Sequence, residues 1–306
     1  MPRDTTPLLA AAGSLPGSNV LHDHPAFLRA SHSPWECIPQ TYLVRLRALV
    51  LTFLTGSGIM AFYYKFTEFR DHPIWYLLFH FGSLSFVLSL IWHLITFAWT
   101  FTHLYYPELE GLDGGIESLI VRAMSLPSNM GSPRKQFRFT MFYSTTTVFS
   151  FMNAIAYWFV TRQHNPDATT TDGPFTDLFG VGWFKAFAMF SLYTTPALVM
   201  IIETMFFNSI KRPQALGAHF IGLVVLSGLY LGWASLGGHL TGCYPFYWLN
   251  PDHVGSKEAV AAYCIGFIGL APLMFVLKQG FIGLREGLTN APARMREVVR
   301  ETFVDN

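Results

Sequence analysis

The stretch SLYTTPALVMIIETMFFNSIKRP, residues 191–213, decides the fold class of this chain. It is apolar enough for a lipid bilayer, and a basic pair follows it, which is typical of a membrane-spanning helix. It also carries a carboxylate, Glu203, and a proline, Pro196. A charge inside a membrane segment is costly, so Glu203 is a candidate functional residue.

The composition of the whole chain indicates an integral membrane protein. The 306 residues are 51% hydrophobic and only 13% charged, whereas a soluble domain has about 25% charged residues. A net charge of +1 does not indicate a nucleic-acid partner, and membrane lipids are the expected partners. Cys37, Cys243 and Cys264 lie too far apart for a zinc motif or a disulfide framework, and no cofactor is expected.

Runs with few charged residues predict an all-α, polytopic membrane protein, a bundle of six transmembrane helices. Each run is long enough for a helix of roughly 20 residues, or nearly so. The predicted spans lie within residues 48–64, 72–107, 139–161, 186–210, 213–251 and 259–277.

The basic residues predict that both the N-terminus and the C-terminus are cytoplasmic, because Lys and Arg concentrate on the cytoplasmic side. With both ends on that side, its segments hold fifteen of the 20 Lys and Arg residues and the other side holds five. The five are Lys65, Arg70, Arg162, Lys185 and Lys257. An endomembrane or plasma-membrane location is expected.

Three regions follow from this pattern. Residues 1–40, rich in Pro, Ser and Gly, predict a disordered cytoplasmic tail; residues 41–285 form the six-helix transmembrane domain; residues 286–306 predict a cytoplasmic amphipathic tail. Apolar residues at helical spacing also predict a short helix on the membrane surface between the second and third spans. They are Ile116, Leu119, Ile120 and Ala123.

The fourth span offers two interpretations of its polar residues. Glu203 is either a proton carrier or general acid/base, or a structural carboxylate paired with a buried donor. Pro196 removes a backbone donor and frees the carbonyl of Leu192, which predicts a kink. Around that kink Tyr193, Thr194 and Thr195 either line a polar pocket or simply accompany the bend.

The second span carries His80 and Ser83, three residues apart and therefore on one helical face. Both lie near the predicted outer side, at the depth of Tyr193 and Thr194, so these side chains are candidates to converge. A Ser–His pair within hydrogen-bond reach suits covalent catalysis, whereas a lone histidine more often only bonds a neighbour.

The fifth span contains Gly228 and Gly232 in a GxxxG pattern, which favours close helix packing. It ends in GGHLTGCYPFYWLNPD, residues 237–252, where His239 and Thr241 either cap the pocket or fix the loop.

The order of motifs from residue 190 to residue 255 resembles the androgen-induced membrane hydrolases, and more distantly the rolling-stone membrane proteins. The residues that carry the resemblance are Tyr193, Thr194, Thr195, Glu203, Lys211, Arg212, Pro213, Tyr230, Trp233, His239, Thr241, Gly242, Pro245 and Leu249. The resemblance implies six helices with cytosolic ends and hydrolysis of fatty-acid esters of hydroxy fatty acids. It also implies a threonine nucleophile and a histidine, but those positions here hold Leu78 and Tyr193.

The sequence therefore leaves three functions open. One is a lipid-ester hydrolase with His80, Ser83, Tyr193 and Glu203 as catalytic candidates and Thr194, Thr195, His239 and Thr241 as substrate-binding candidates. The second is a non-catalytic scaffold, lipid-binding or fusion-type protein. The third is a transporter in which Glu203 carries a proton.

Overall fold

The structure, a computed structural model, describes residues 25–68, 74–106, 115–127, 130–162, 182–213 and 215–304, with side chains described to residue 289. Within these residues every regular element is a helix. The α-helices are α1 (Ala26–Ala30), α2 (Gln40–Glu68), α3 (Phe81–Tyr105), α4 (Ile116–Met124), α5 (Pro133–Ile155), α6 (Trp183–Tyr193), α7 (Thr195–Ile202), α8 (Leu216–Thr241), α9 (Pro251–Val254) and α10 (Lys257–Val304). Two π-helical segments, Ala156–Thr161 and Glu203–Phe207, extend α5 and α7.

Four helices of the described residues are long and apolar enough to cross a membrane: Gln40–Thr67, Phe81–Tyr105, Leu216–Thr241 and Lys257–Thr289. A fifth candidate is the pair Trp183–Tyr193 and Thr195–Phe207, which is bent by 46°. The chain is therefore all-helical, with four or five candidate membrane spans.

Helix α5 corresponds to the predicted third span but is not apolar enough to count among these candidates. It is rich in hydroxyl side chains, and every residue from Tyr143 to Asn153 is buried. Helices α3, α7, α8 and α10 all pack against it. Since protein rather than lipid surrounds α5, the helix does not need an apolar surface.

The bundle places polar side chains inside and apolar side chains outside. Buried hydroxyls and charges include Ser85, Ser89, Thr96, Glu203 and Arg285. Large apolar side chains are exposed on the outer helices, among them Leu49, Ile59, Ile221, Leu229, Ile265 and Leu273. This arrangement suits a hydrocarbon surrounding, because exposed apolar surface of this extent marks contact with other apolar material.

The predicted kink at Pro196 is present. Helix α6 ends at Tyr193 and α7 begins at Thr195, with Pro196 in its first turn. The carbonyl of Leu192, which the missing proline N–H leaves free, accepts a hydrogen bond of 3.0 Å from Asn153 Nδ2 of α5. A side chain of a neighbouring helix thus replaces the lost backbone bond.

Residues 25–40, which the sequence assigned to a disordered tail, are instead packed into the bundle. Helix α1 is buried along its length, and the Phe27 ring stacks on Phe139 at 4.7 Å. Trp35 Nε1 donates to the carbonyl of Met205 at 2.7 Å. Composition did not reveal this because the segment is short and contains several Pro and Ser residues, although residues 26–32 are all buried. Residues 1–24 lie outside the described residues.

Two further predictions concern the glycines of the fifth span and the C-terminal tail. The GxxxG prediction is wrong, because a Cβ at Gly232 would meet nothing within 4 Å, and one at Gly228 would only touch Ile268. The close approaches lie at Gly237, which the Phe79 ring covers, and at Gly238, which the Tyr244 ring covers. The tail predicted for residues 286–306 continues α10 as far as Val304.

Candidate functional site

Two polar clusters lie at opposite ends of the bundle. The outer cluster is His80, Ser83, Tyr193 and their neighbours, at the start of α3 and the end of α6. The inner cluster surrounds Glu203, Arg47 and Arg285. Arg47 lies near the start of α2, Glu203 directly follows α7, and Arg285 lies near the end of the apolar part of α10. Tyr193 and Glu203 are ten residues apart along a bent helix, which is about 15 Å. The sequence-based candidates therefore do not form one site.

The structure brings His80 and Tyr193 together. His80 immediately precedes the first turn of α3, and its Nε2 lies 3.1 Å from the Tyr193 hydroxyl. The Tyr193 ring stacks on Tyr157 with centroids 3.7 Å apart and an interplanar angle of 1°. Both side chains are buried, so the stacked tyrosine holds the imidazole in a fixed orientation.

Ser83 lies in the same turn as His80 but its hydroxyl is unpartnered. Its Oγ and His80 Nδ1 are buried and have no hydrogen-bond partner among the described residues. If the Tyr193 hydroxyl accepts from Nε2–H, then Nδ1 carries the lone pair and is able to accept a proton. The two atoms do not bond each other in this structure, so the Ser–His hydrogen bond considered from the sequence is not present. The two residues still supply the composition of a nucleophile–base pair within one helical turn.

Thr194 and Thr195 lie at the α6–α7 break. The Thr194 hydroxyl accepts a bond of 2.7 Å from Trp158 Nε1, and Thr195 is buried. The bond to Trp158 ties the break to the π-helical end of α5, so Thr194 stabilises the kink.

His239 and Thr241 lie at the end of α8. Thr241 donates to the Gly237 carbonyl at 2.7 Å and accepts from the Cys243 backbone N–H at 3.2 Å. His239 is exposed, with its ring edge-on to Tyr244. Of the two alternatives, the hydrogen bonds of Thr241 favour fixation of the loop.

Glu203 is fully buried and forms an ion pair with Arg47. Arg47 Nη2 lies 3.1 Å from Glu203 Oε1. The same guanidinium donates to the carbonyls of Thr96, Ala30 and Phe207, at 2.8, 2.6 and 2.8 Å. One side chain of α2 thus joins α3, the N-terminal segment and the end of the fourth span. This geometry matches the paired carboxylate at Oε1, while Oε2 has no hydrogen-bond partner among the described residues.

Arg285 of α10 and Asn208 complete the inner cluster. Arg285 donates to the carbonyls of Thr204, Asn208 and Ile210 at 2.6–2.9 Å. Asn208 Nδ2 lies 2.9 Å from the Glu203 carbonyl and 3.3 Å from Glu203 Oε1. Carbonyls freed at the end of the fourth span are therefore capped by arginine, which offers five donors in a fixed geometry.

Lys278 is a further buried cation near the inner cluster. Its Nζ donates to Ser144 Oγ at 2.7 Å and lies 3.9 Å from the centre of the Tyr143 ring. The Tyr143 hydroxyl lies 2.7 Å from Thr204 Oγ1. Helices α5, α7 and α10 are connected through these contacts.

Sequence analysis missed Arg47, Asn208, Lys278 and Arg285 as site residues. It used the three basic residues only as evidence of orientation, because long basic side chains at helix ends commonly reach the membrane surface. The sequence did contain a signal for these four residues, because each lies close to the boundary of a predicted apolar run, where its side chain is able to turn into the bundle.

No group of three or more His, Cys, Asp or Glu residues in the described ranges is placed to hold a metal ion. No family model matches the chain, and neither does any curated protein or solved structure. The resemblance stated from the sequence stays a prediction.

Proposed function

We propose that this chain is a multi-pass membrane protein with six spanning helices and both termini cytoplasmic. The sixth span beyond the five apolar candidates is α5. Its 23 residues make a helix of about 35 Å, which exceeds the bilayer core of about 30 Å. The burial of its residues 143–153 among α3, α7, α8 and α10 supports a central helix whose middle does not face lipid.

Cysteine labelling tests this topology. Cys37 precedes α2, and a cysteine at the exposed position Asp252 follows α8. With α5 counted as a span, five spans separate the two positions, so they lie on opposite sides. Without α5 they lie on the same side.

The two single-cysteine proteins are treated with a membrane-impermeant maleimide on intact cells and after permeabilisation. In the first, Cys37 is the only cysteine; in the second, all native cysteines are replaced and Asp252→Cys is introduced. We expect Cys37 to react only after permeabilisation and the introduced cysteine to react from outside, or from the lumen of an organelle. Reaction of both from one side contradicts the six-span topology.

The function that the outer cluster supports best is hydrolysis of a lipid ester. The observation that carries it is a buried Ser83 hydroxyl, three residues from a histidine whose orientation Tyr193 fixes, with Ser83 Oγ and His80 Nδ1 both unpartnered among the described residues. Ser83 Oγ attacks the ester carbonyl and passes its proton to His80. The imidazolium then protonates the departing alcohol, and water hydrolyses the acyl-enzyme with His80 as base. Glu203 is at the other end of the bundle and takes no part.

Labelling with a fluorophosphonate, together with turnover of a fatty-acid ester of a hydroxy fatty acid, tests this activity on the purified protein. We expect both signals to be lost in Ser83→Ala and His80→Ala. Ser57→Ala is the matched control, because Ser57 is buried in α2 and its hydroxyl bonds only the Leu54 carbonyl. A fully active Ser83→Ala protein excludes this mechanism.

A non-catalytic scaffold or lipid-binding protein is the second candidate. It is supported by the inner cluster, where Arg47 and Arg285 join five segments of the chain into a rigid structure. If no ester is turned over and the purified protein retains bound lipid, this candidate replaces the hydrolase.

A further inference from the structure

A continuous polar stripe runs along one face of α3. Its members, Ser85, Ser89, His93, Thr96 and Thr100, are spaced three or four residues apart and all are buried. They extend from Ser85, two residues beyond Ser83 of the outer cluster, to Thr100, which bonds Arg47 of the inner cluster. The distance from residue 85 to residue 100 is about 23 Å along the helix, most of the thickness of the hydrocarbon core.

A second polar stripe, on α5, faces the first. It consists of Tyr143, Thr146, Ser150 and Asn153, again at spacings of three or four residues and buried. Ser85 Oγ lies 3.5 Å from Ser150 Oγ, so the two stripes meet. Helix α7 contacts both α3 and α5. We call this interface of α3, α5 and the α6–α7 pair the polar column.

Several buried atoms in the polar column have no hydrogen-bond partner among the described residues. They are Ser83 Oγ, Ser89 Oγ, His93 Nε2, Thr146 Oγ1, Ser191 Oγ and Glu203 Oε2. Buried polar groups are nearly always satisfied in proteins, and ordered water supplies the partner where no protein atom does. Unpartnered groups distributed along the length of the interface therefore indicate water along that length.

We propose that the polar column holds a file of water molecules and conducts protons across the membrane between the outer and the inner cluster. The proposal rests on the membrane-spanning topology proposed above but not on ester hydrolysis. Intramembrane histidines and carboxylates that face a bundle interior mark proton pathways. Here His80 lies at the outer end, and His93 and Glu203 lie at the inner end.

His80, His93 and Glu203 each have charged or titratable neighbours. His80 faces Tyr193 and lies within electrostatic range of Lys65. His93 donates from Nδ1 to the Ser89 carbonyl, which leaves Nε2 for the column, and it lies within electrostatic range of Glu203 and Arg47. Glu203 binds Arg47 and Asn208 through Oε1, which leaves Oε2 for the column.

The transfer needs no co-reactant. A proton that enters at His80 moves along hydroxyls and waters by exchange of hydrogen bonds, each oxygen accepting one proton and releasing another. It passes through His93 Nε2 to Glu203 Oε2 and leaves at the inner end. The membrane potential or a pH difference supplies the driving force.

Proton flux in liposomes tests the proposal. The full-length protein is reconstituted with pyranine inside, and valinomycin with an outward potassium gradient makes the interior negative. We expect acidification well above that of protein-free liposomes. Glu203→Gln and the obstructing variant Ser89→Leu should each reduce it by about tenfold, because both interrupt a single file. Leu94→Phe, a similar enlargement on the exposed side of α3, is the control and should retain the flux.

A near-isosteric variant keeps the test decisive if Ser89→Leu does not fold. With the three native cysteines replaced, Ser89→Cys and Thr146→Cys should react with silver ions, which travel where water travels. Leu54→Cys, equally buried but in an apolar cluster, should not react. Wild-type flux no greater than that of empty liposomes, or unreactive cysteines at both column positions, overturns the proposal. Loss of flux in Ser89→Leu with ester turnover retained separates it from the hydrolase.

Discussion

At the scale of single residues, the bond between Asn153 and the Leu192 carbonyl shows how a proline is tolerated inside a membrane helix. Asn153→Leu removes the only donor that the described residues show for this carbonyl. A buried acceptor left unsatisfied costs about 1–3 kcal/mol. We expect a corresponding loss of stability, measured by equilibrium unfolding in bicelles.

The Pro196→Ala background provides the control for this prediction. Alanine restores a backbone N–H for the Leu192 carbonyl, so Asn153→Leu should be less destabilising there. Thr147→Val should have a small effect in both backgrounds, since the Thr147 hydroxyl bonds only a carbonyl of its own helix. Equal effects of Asn153→Leu in the two backgrounds would show that the Asn153 bond does not compensate for the proline.

The Arg47–Glu203 pair gives the second prediction. Glu203→Gln or Arg47→Met leaves an uncompensated buried partner, and such losses amount to about 3–5 kcal/mol. The double variant Arg47→Met/Glu203→Met should lose less than the sum of the single variants. Arg45→Met is the matched control in the same helix, because Arg45 is exposed. Equal destabilisation by Arg45→Met and Arg47→Met would refute this account, as would strict additivity.

Sequence reasoning at this scale identified residue types and missed partners. It placed His80 and Tyr193 at the same depth, and the structure has them 3.1 Å apart, because depth follows directly from helical rise. It also proposed a structural Glu203 without naming Arg47. Which of two neighbouring arginines faces inward depends on the rotation of α2 within the bundle, and charge patterns do not determine that rotation.

At the scale of the element, α4 carries an unpartnered apolar stripe. Ile116, Leu119 and Ile120 are 80%, 71% and 50% exposed, and Arg122 is exposed as well. An amphipathic helix with this pattern lies in the interface with its apolar face toward the acyl chains.

Spin labels test that placement of α4. A nitroxide at Leu119→Cys should be more accessible to oxygen, and one at Arg122→Cys more accessible to an aqueous nickel complex, in reconstituted protein whose native cysteines are replaced. Two labels with the same aqueous profile would identify α4 as a solvated helix instead.

Helix α5 shows a limit of predicting membrane-spanning helices from hydropathy. The helical character of residues 139–161 follows from their length without charge, and helix does cover them. Their polarity sets them apart from the apolar candidates. Hydropathy reports contact with lipid, and a helix enclosed by its neighbours has none, so only the packing reveals its position.

At the scale of the whole molecule, the N-terminal segment packs against the inner end of the bundle, where the Ala30 carbonyl accepts from Arg47 Nη2. Phe27→Ala should destabilise the protein by about 3–5 kcal/mol, as expected for a large buried aromatic ring. It should also make residues 25–40 more sensitive to protease. Tyr42→Ala removes a ring that is 59% exposed and should change stability little. Unaltered melting of Phe27→Ala would show that the segment contributes nothing to the bundle.

This packing also has a consequence for biosynthesis. Ser33 and Trp35 bond the carbonyls of Phe206 and Met205, across sequence separations of 173 and 170 residues. Ser33 and Trp35 therefore leave the ribosome long before these two carbonyls, which become available only after the fourth hydrophobic segment has been made and inserted. A bulky fusion partner placed close to Phe27 would therefore obstruct this late docking even though every helix had entered the bilayer.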